Sequence, residues 1–120
     1  MKLIIEAEIR ITAISMQSSA IELSYEGDVG KYGRVFFNHC LVPSNEEESK
    51  GHFNGFARTI LSDGGSVRGT LSGVWQRNGS AFQIHSLDDA IGIPDQNYVD
   101  IRVDIVNKTG SLKLYSLNED

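Results

Sequence analysis

The chain has 120 residues, a formal charge of −5 and a single cysteine. That length supports one domain, residues 1–120, which buries about 65% of its unfolded surface and so can fold without disulfides or a structural metal. The lone Cys40 excludes an intramolecular bridge, no segment approaches the roughly 20 apolar residues of a membrane helix, and scattered basic residues within an acidic total exclude a broad nucleic-acid surface.

Residues 2–13 alternate, with Leu3, Ile5, Ala7, Ile9, Ile11 and Ala13 on one face and Glu6, Glu8, Arg10 and Thr12 on the other. Period two marks a half-buried strand. The same stretch begins with a lysine and an apolar run, but Glu6 and Glu8 interrupt it before a signal-peptide core forms. A cytoplasmic protein with no membrane association is therefore expected. Residues 20–27 repeat the alternation, with Ile21, Leu23 and Tyr25 opposite Glu22, Ser24 and Glu26. Residues 32–42 differ in being apolar on both faces: Val35, Phe37 and Leu41 on one, Phe36, Cys40 and Val42 on the other. Residues 43–51 contain Ser44, Glu47 and Gly51 at the spacing of a helix cap, capping partner and stop, which predicts one helical turn. Strands are predicted at 52–62, 66–77 and 81–87. The residues 88–97, with Gly92 and Pro94, read as an irregular crossover in which Asp88 and Asp89 cap a turn. Residues 98–106 alternate again, and 111–117 completes eight strands.

Tight turns fix the pairing. Asp63-Gly64-Gly65, Asn78-Gly79 and Lys108-Thr109-Gly110 supply the positive backbone angles of hairpins. Hairpins make the sheet antiparallel, because parallel neighbours need a longer crossover. The strand at 66–77 then poses a question, since one face reads Val67, Gly69, Leu71, Gly73, Trp75. Glycine inside a strand costs stability and marks a bend or a close approach. Gly55, between Phe53 and Ala57, adds another. Small and large residues on one face suit a strongly coiled sheet. The fold expected is an all-β, antiparallel, eight-stranded closed or nearly closed barrel, with a two-sheet sandwich as the alternative.

Several of these pieces occur together in a known family. Gly55-Phe56-Ala57, Ser62-Asp63-Gly64-Gly65, Gly69-Thr70-Leu71-Ser72-Gly73-Val74-Trp75 and Ser111-Leu112-Lys113-Leu114-Tyr115 span about half the chain. The run from Gly55 to Leu117 resembles small bacterial proteins with the allene oxide cyclase-like β-barrel. The resemblance implies an eight-stranded barrel, an interior cavity and oligomers. No catalytic motif of the cyclases matches residue by residue.

Catalytic candidates are few. His39 and Cys40 are adjacent on a strand, so they point to opposite faces and cannot act together as base and nucleophile. Cys40 reads as a buried small apolar residue. His39, His52 and His85 lack metal-ligand spacing, so no metal and no cofactor is expected. Glu46, Glu47 and Glu48 read as a solvated loop face. Trp75, Phe53, Phe82, Tyr25 and Tyr98 are expected at a barrel interior or mouth, as walls for an apolar or aromatic small molecule. His85, Arg58 and Arg68 are the polar groups expected beside them. The function expected is small-molecule binding, with a cyclase or isomerase as its catalytic form. The alternative is a non-catalytic interaction module. The two apolar faces of 32–42, with Leu3, Ile4 and Ile5, predict a homo-oligomer through that strand.

Overall fold

A computed structural model describes residues 1–119. It contains, in chain order, β1 (Lys2–Met16), β2 (Ile21–Asp28), a 3-10 turn (Gly30–Tyr32), β3 (Arg34–Pro43), β4 (Lys50–Ile60), β5 (Arg68–Asn78), β6 (Ala81–Ile91), β7 (Gln96–Asp104) and β8 (Thr109–Ser116). Each strand pairs antiparallel with the next, and β8 pairs with β1, so the sheet closes into an up-and-down barrel. The closing ladder runs from Lys2↔Ser116 to Arg10↔Thr109, which removes both edges and excludes the sandwich. No helix among the described residues is long and apolar enough to cross a membrane.

Alternation places the core. Leu23, Tyr25, Leu41, Phe53, Trp75, Phe82, Ile84, Val99, Ile101 and Leu112 are buried inside the barrel. Charged residues such as Glu22, Arg58 and Arg102 take the opposite parity and face out.

Strand β1 departs from simple alternation at two bulges. One lies between Leu3 and Ile5 against β8, the other between Ile11 and Ala13 against β2. Each bulge switches the inward parity of the strand beyond it. Ile4 and Ile14 therefore pack on the core, while Leu3 and Ala13, expected inside, are exposed.

The strand glycines are explained by the coiling of the sheet. A Cβ on Gly73 would lie 1.9 Å from the His85 carbonyl oxygen, and one on Gly55 1.9 Å from that of Asn38. At both points one strand presses its Cα against the backbone of the next, and only hydrogen fits. Phe53 and Trp75 fill the space left inside: Phe53 Cε1 would be 3.1 Å from the added Gly73 Cβ.

Three connections differ from expectation. Strand β6 runs on to Ile91, so the expected 88–97 crossover shrinks to the short turn 92–95. The 43–51 segment forms no helix. Asn45 organises it instead, donating to Ser49 Oγ (2.8 Å) and accepting from the Ser49 N–H (3.0 Å). The last hairpin turns at Lys108, whose φ is 59°, and Gly110 lies within β8.

Candidate site at the open end of the barrel

The two ends of the barrel are filled differently. One end carries the β3–β4, β5–β6 and β7–β8 turns, and below them the interior is solid with aromatic rings. Tyr25 stacks on Phe37, His39 meets Phe53 edge-on at 4.5 Å, and Trp75 stacks on Phe82. The Trp75 indole N–H donates to the His52 carbonyl at 3.0 Å. His39 sits among these rings, 1% exposed, with Nδ1 2.9 Å from the Tyr25 hydroxyl. Burial lowers its pKa to about 3, so the ring is neutral. Its Nε2 is the buried side-chain polar atom without a hydrogen-bond partner among the described residues.

The other end carries the β2–β3, β4–β5 and β6–β7 turns and encloses a cavity of about 80 Å³. Val35, Phe37, Leu71, Val99 and Leu114 form its apolar wall. The polar side comes from β6 and β7. Inward parity on β6 runs Phe82, Ile84, Ser86, Asp88, so Ser86 and Asp88 extend the core face to the cavity. The Ser86 hydroxyl donates to Asp88 Oδ1 at 2.5 Å. Desolvation pushes the Asp88 pKa up to about 7, and the Ser86 hydrogen bond opposes the shift only in part. A carboxyl group that exchanges its proton near neutrality can act as acid or base.

The β2–β3 turn is fastened across this end. The Tyr32 hydroxyl donates to Asp95 Oδ2 (2.5 Å) and accepts from the Asn97 amide (3.0 Å). Lys31 Nζ pairs with the same Asp95 oxygen at 3.1 Å. The Tyr32 hydrogen bond, then Lys31, hold the Asp95 pKa below the usual carboxylate value, against desolvation. Tyr32, Arg68, Gly69, Asp89 and Ala90 thus border a mouth whose far side is held shut.

The structure redistributes the candidates from the sequence. Arg68 borders the cavity, with an exposed side chain. Tyr25, Phe53, Trp75 and Phe82 face inward as expected but are core packing at the filled end and do not line the cavity. Tyr98, His85 and Arg58 face outward, because they take the opposite parity to Val99, Ile84 and Ala57. His85 Nδ1 lies 2.6 Å from the Tyr98 hydroxyl on that outer surface. His85 and Trp75 border a separate groove with His52 and Val74. His39 is inside while His52 and His85 are outside, so the three histidines do not converge. Cys40 also faces outward and is partly exposed, a correction to its expected burial. Asp88 and Asp89, expected to cap a turn, lie instead within β6, because the strand predicted to end at Leu87 runs on to Ile91. Continuing the parity of Ile84 and Ser86 by one step finds Asp88.

In comparison with known proteins, no family model matches the chain, no curated protein matches it and no solved structure matches it.

Proposed function

We propose that the protein is a small-molecule-binding barrel whose ligand occupies the cavity at the open end, beside Ser86 and Asp88. The observation that carries this is a cavity whose apolar wall faces a small polar group of Ser86, Asp88 and Asn97. Apolar walls with a few converging polar groups are the common form of a ligand site. The space of about 80 Å³ is well below the roughly 300–1,000 Å³ of sites for drug-sized molecules. The ligand is therefore small, or inserts one end and leaves the rest across the mouth beside Arg68 and Asp89. Asp88 suits such a site to proton transfer, the chemistry an isomerase or cyclase requires. The hairpin resemblance to allene oxide cyclase-like barrels supports the reading through fold alone, and fold does not set function. A screen of small fragments by amide chemical shifts provides the test. Shifts centred on Leu71, Ser86, Asp88 and Asn97 are expected; shifts centred on the separate groove at His52 and Val74 would overturn it.

A second reading, compatible with the first, is self-association through the outer face of β3–β6. Phe36, Val74 and Leu87 are 45%, 56% and 54% exposed there, and Phe56, Ile60 and Ile91 add to them. Such a surface is characteristic of an interface. The same face bears Arg58 opposite Arg68, with Asp89 one strand away, and none of these forms an ion pair among the described residues. A two-fold contact sets each patch against itself, so it can place arginines of one copy on Asp89 of the other. Light scattering should give twice the 13.2 kDa chain mass. Phe36→Lys should yield the monomer, whereas a wild-type monomer at micromolar concentration would exclude the contact.

A further inference from the structure

A carboxyl group enclosed by protein is costly to ionise unless a cation stands beside it. Asp88 has one hydrogen-bond donor, Ser86, and no cation contributes to its proton affinity. The basic residues nearby are used elsewhere. Lys31 pairs with Asp95, and Arg34 with Glu26 and Asp28. Arg68 borders the mouth, but its side chain is exposed.

The other polar groups of the cavity already have hydrogen-bond partners within the fold. The Ser86 hydroxyl hydrogen goes to Asp88, that of Tyr32 goes to Asp95, and one Asn97 amide hydrogen goes to Tyr32. Thr59 Oγ1 already accepts from the Val67 N–H. The second carboxyl oxygen of Asp88 has no hydrogen-bond partner among the described residues, and it is the unused acceptor that can carry charge. A ligand that brings positive charge and N–H donors satisfies it, and also supplies the counter-ion that the fold omits.

We propose that the cavity takes a small organic ammonium ion, its cationic head on Asp88 and its apolar body against Phe37, Leu71, Val99 and Leu114. The inference rests on the binding reading above and narrows it to one class of ligand. The remaining ionisable groups at the cavity are Tyr32, Arg68 and Asp89. Of these, the Tyr32 hydrogen is held by Asp95, and Asp89 Oδ1 takes a bond from Gln96 at 3.4 Å on the outer face.

Three probes with one apolar body separate the possibilities: isobutylamine, isobutanol and isovalerate, each titrated into the full chain and followed by amide shifts of the cavity residues. At pH 8 the amine is expected to bind at least about tenfold tighter than the alcohol, or about 1.4 kcal/mol, and isovalerate weakest. Binding of the amine requires ionised Asp88, so its affinity should rise about tenfold per pH unit between 5 and 7 and level off above. Asp88→Asn should reduce the amine to the affinity of the alcohol. Equal binding of amine and alcohol, tighter isovalerate, or an amine affinity that does not change with pH would overturn the ammonium class and leave the binding site standing. No shift at the cavity with any of the three would overturn the binding reading itself. The pH series uses the unmodified protein, so the outcome does not depend on the variant folding.

Discussion

The filled end and the open end of this barrel are built from the same strands and differ in what those strands carry inward. At the filled end β4, β5 and β6 contribute Phe53, Trp75, Phe82 and Ile84, and the rings occupy the interior. At the open end the same three strands contribute Ala57 and Thr59, Gly69, and Ser86 and Asp88, and a cavity remains. Large side chains at one end stabilise the closed sheet, which leaves the other end free to hold small and polar ones. The polar groups also differ in kind. His39 is made harmless by burial, neutral at any ordinary pH, while Asp88 is tuned by burial into the range where it titrates.

Truncations at the two ends should therefore cost different amounts. Trp75→Ala removes a ring that is 2% exposed, together with its bond to the His52 carbonyl, and should cost about 3–5 kcal/mol in urea unfolding. Leu71→Ala enlarges a cavity that already exists and should fall near the bottom of the roughly 2–5 kcal/mol range for such changes. Equal costs would mean that the open end is packed as firmly as the other.

Gly73→Ala probes the coiling that lets the rings in. The added Cβ would lie 1.9 Å from the His85 carbonyl oxygen, an atom of backbone that cannot swing aside. A cost toward the top of the about 1–3 kcal/mol typical of overpacking is expected. An unchanged melting temperature would show that the strands are less closely wound at this point.

The closed barrel is legible in the sequence because nearly every strand obeys period two and the glycine turns at Gly64 and Gly79 join neighbouring strands. The bulges in β1 are not, since Leu3-Ile4-Ile5 supplies an apolar residue at either parity and only the pairing with β8 decides between them. The site is less legible than the fold. Aromatic residues are expected around a ligand, yet in this narrow barrel Tyr25, Phe53, Trp75 and Phe82 fill the interior, and the aromatic residues at the cavity are Tyr32 and Phe37. Residue type assigns Tyr98 and His85 to the interior, although the alternation around Val99 and Ile84 already places them outside. Asp88 is hidden behind a strand end placed too early, because a polar Asp-Asp pair followed by Gly and Pro resembles a loop.

Asp88 gives the pH test of the open end. An unfolded aspartate titrates near 3.8, whereas folded Asp88 keeps its proton up to about 7. Between those values the native state binds more protons than the unfolded state, so this group's contribution to stability falls as pH rises. The gap between the two values corresponds to at most about 4 kcal/mol, and water at the mouth brings the expected effect nearer about 1–2 kcal/mol. Asp88→Asn should therefore match wild type at pH 4 and exceed it by that amount at pH 8. Equal stability at both values would mean that Asp88 is well solvated and the cavity is not the enclosed site described.

Gly69→Ala should have the smallest effect on stability and the sharpest one on binding. Gly69 and Gly73 lie on the same strand and the same face, so they compare the two environments directly. A Cβ on Gly69 would sit 3.3 Å from the Asp89 carbonyl oxygen, a contact relieved by a shift of a few tenths of an ångström. The fold should lose less than about 1 kcal/mol, since the methyl group enters a space rather than a neighbour. That space is the cavity wall opposite Ala90, and a methyl group takes an appreciable share of about 80 Å³. Probe binding should weaken markedly while the melting temperature stays close to wild type. Tight binding retained in Gly69→Ala would place the ligand elsewhere on the molecule, and a large loss of stability would mean that the open end has no room to spare.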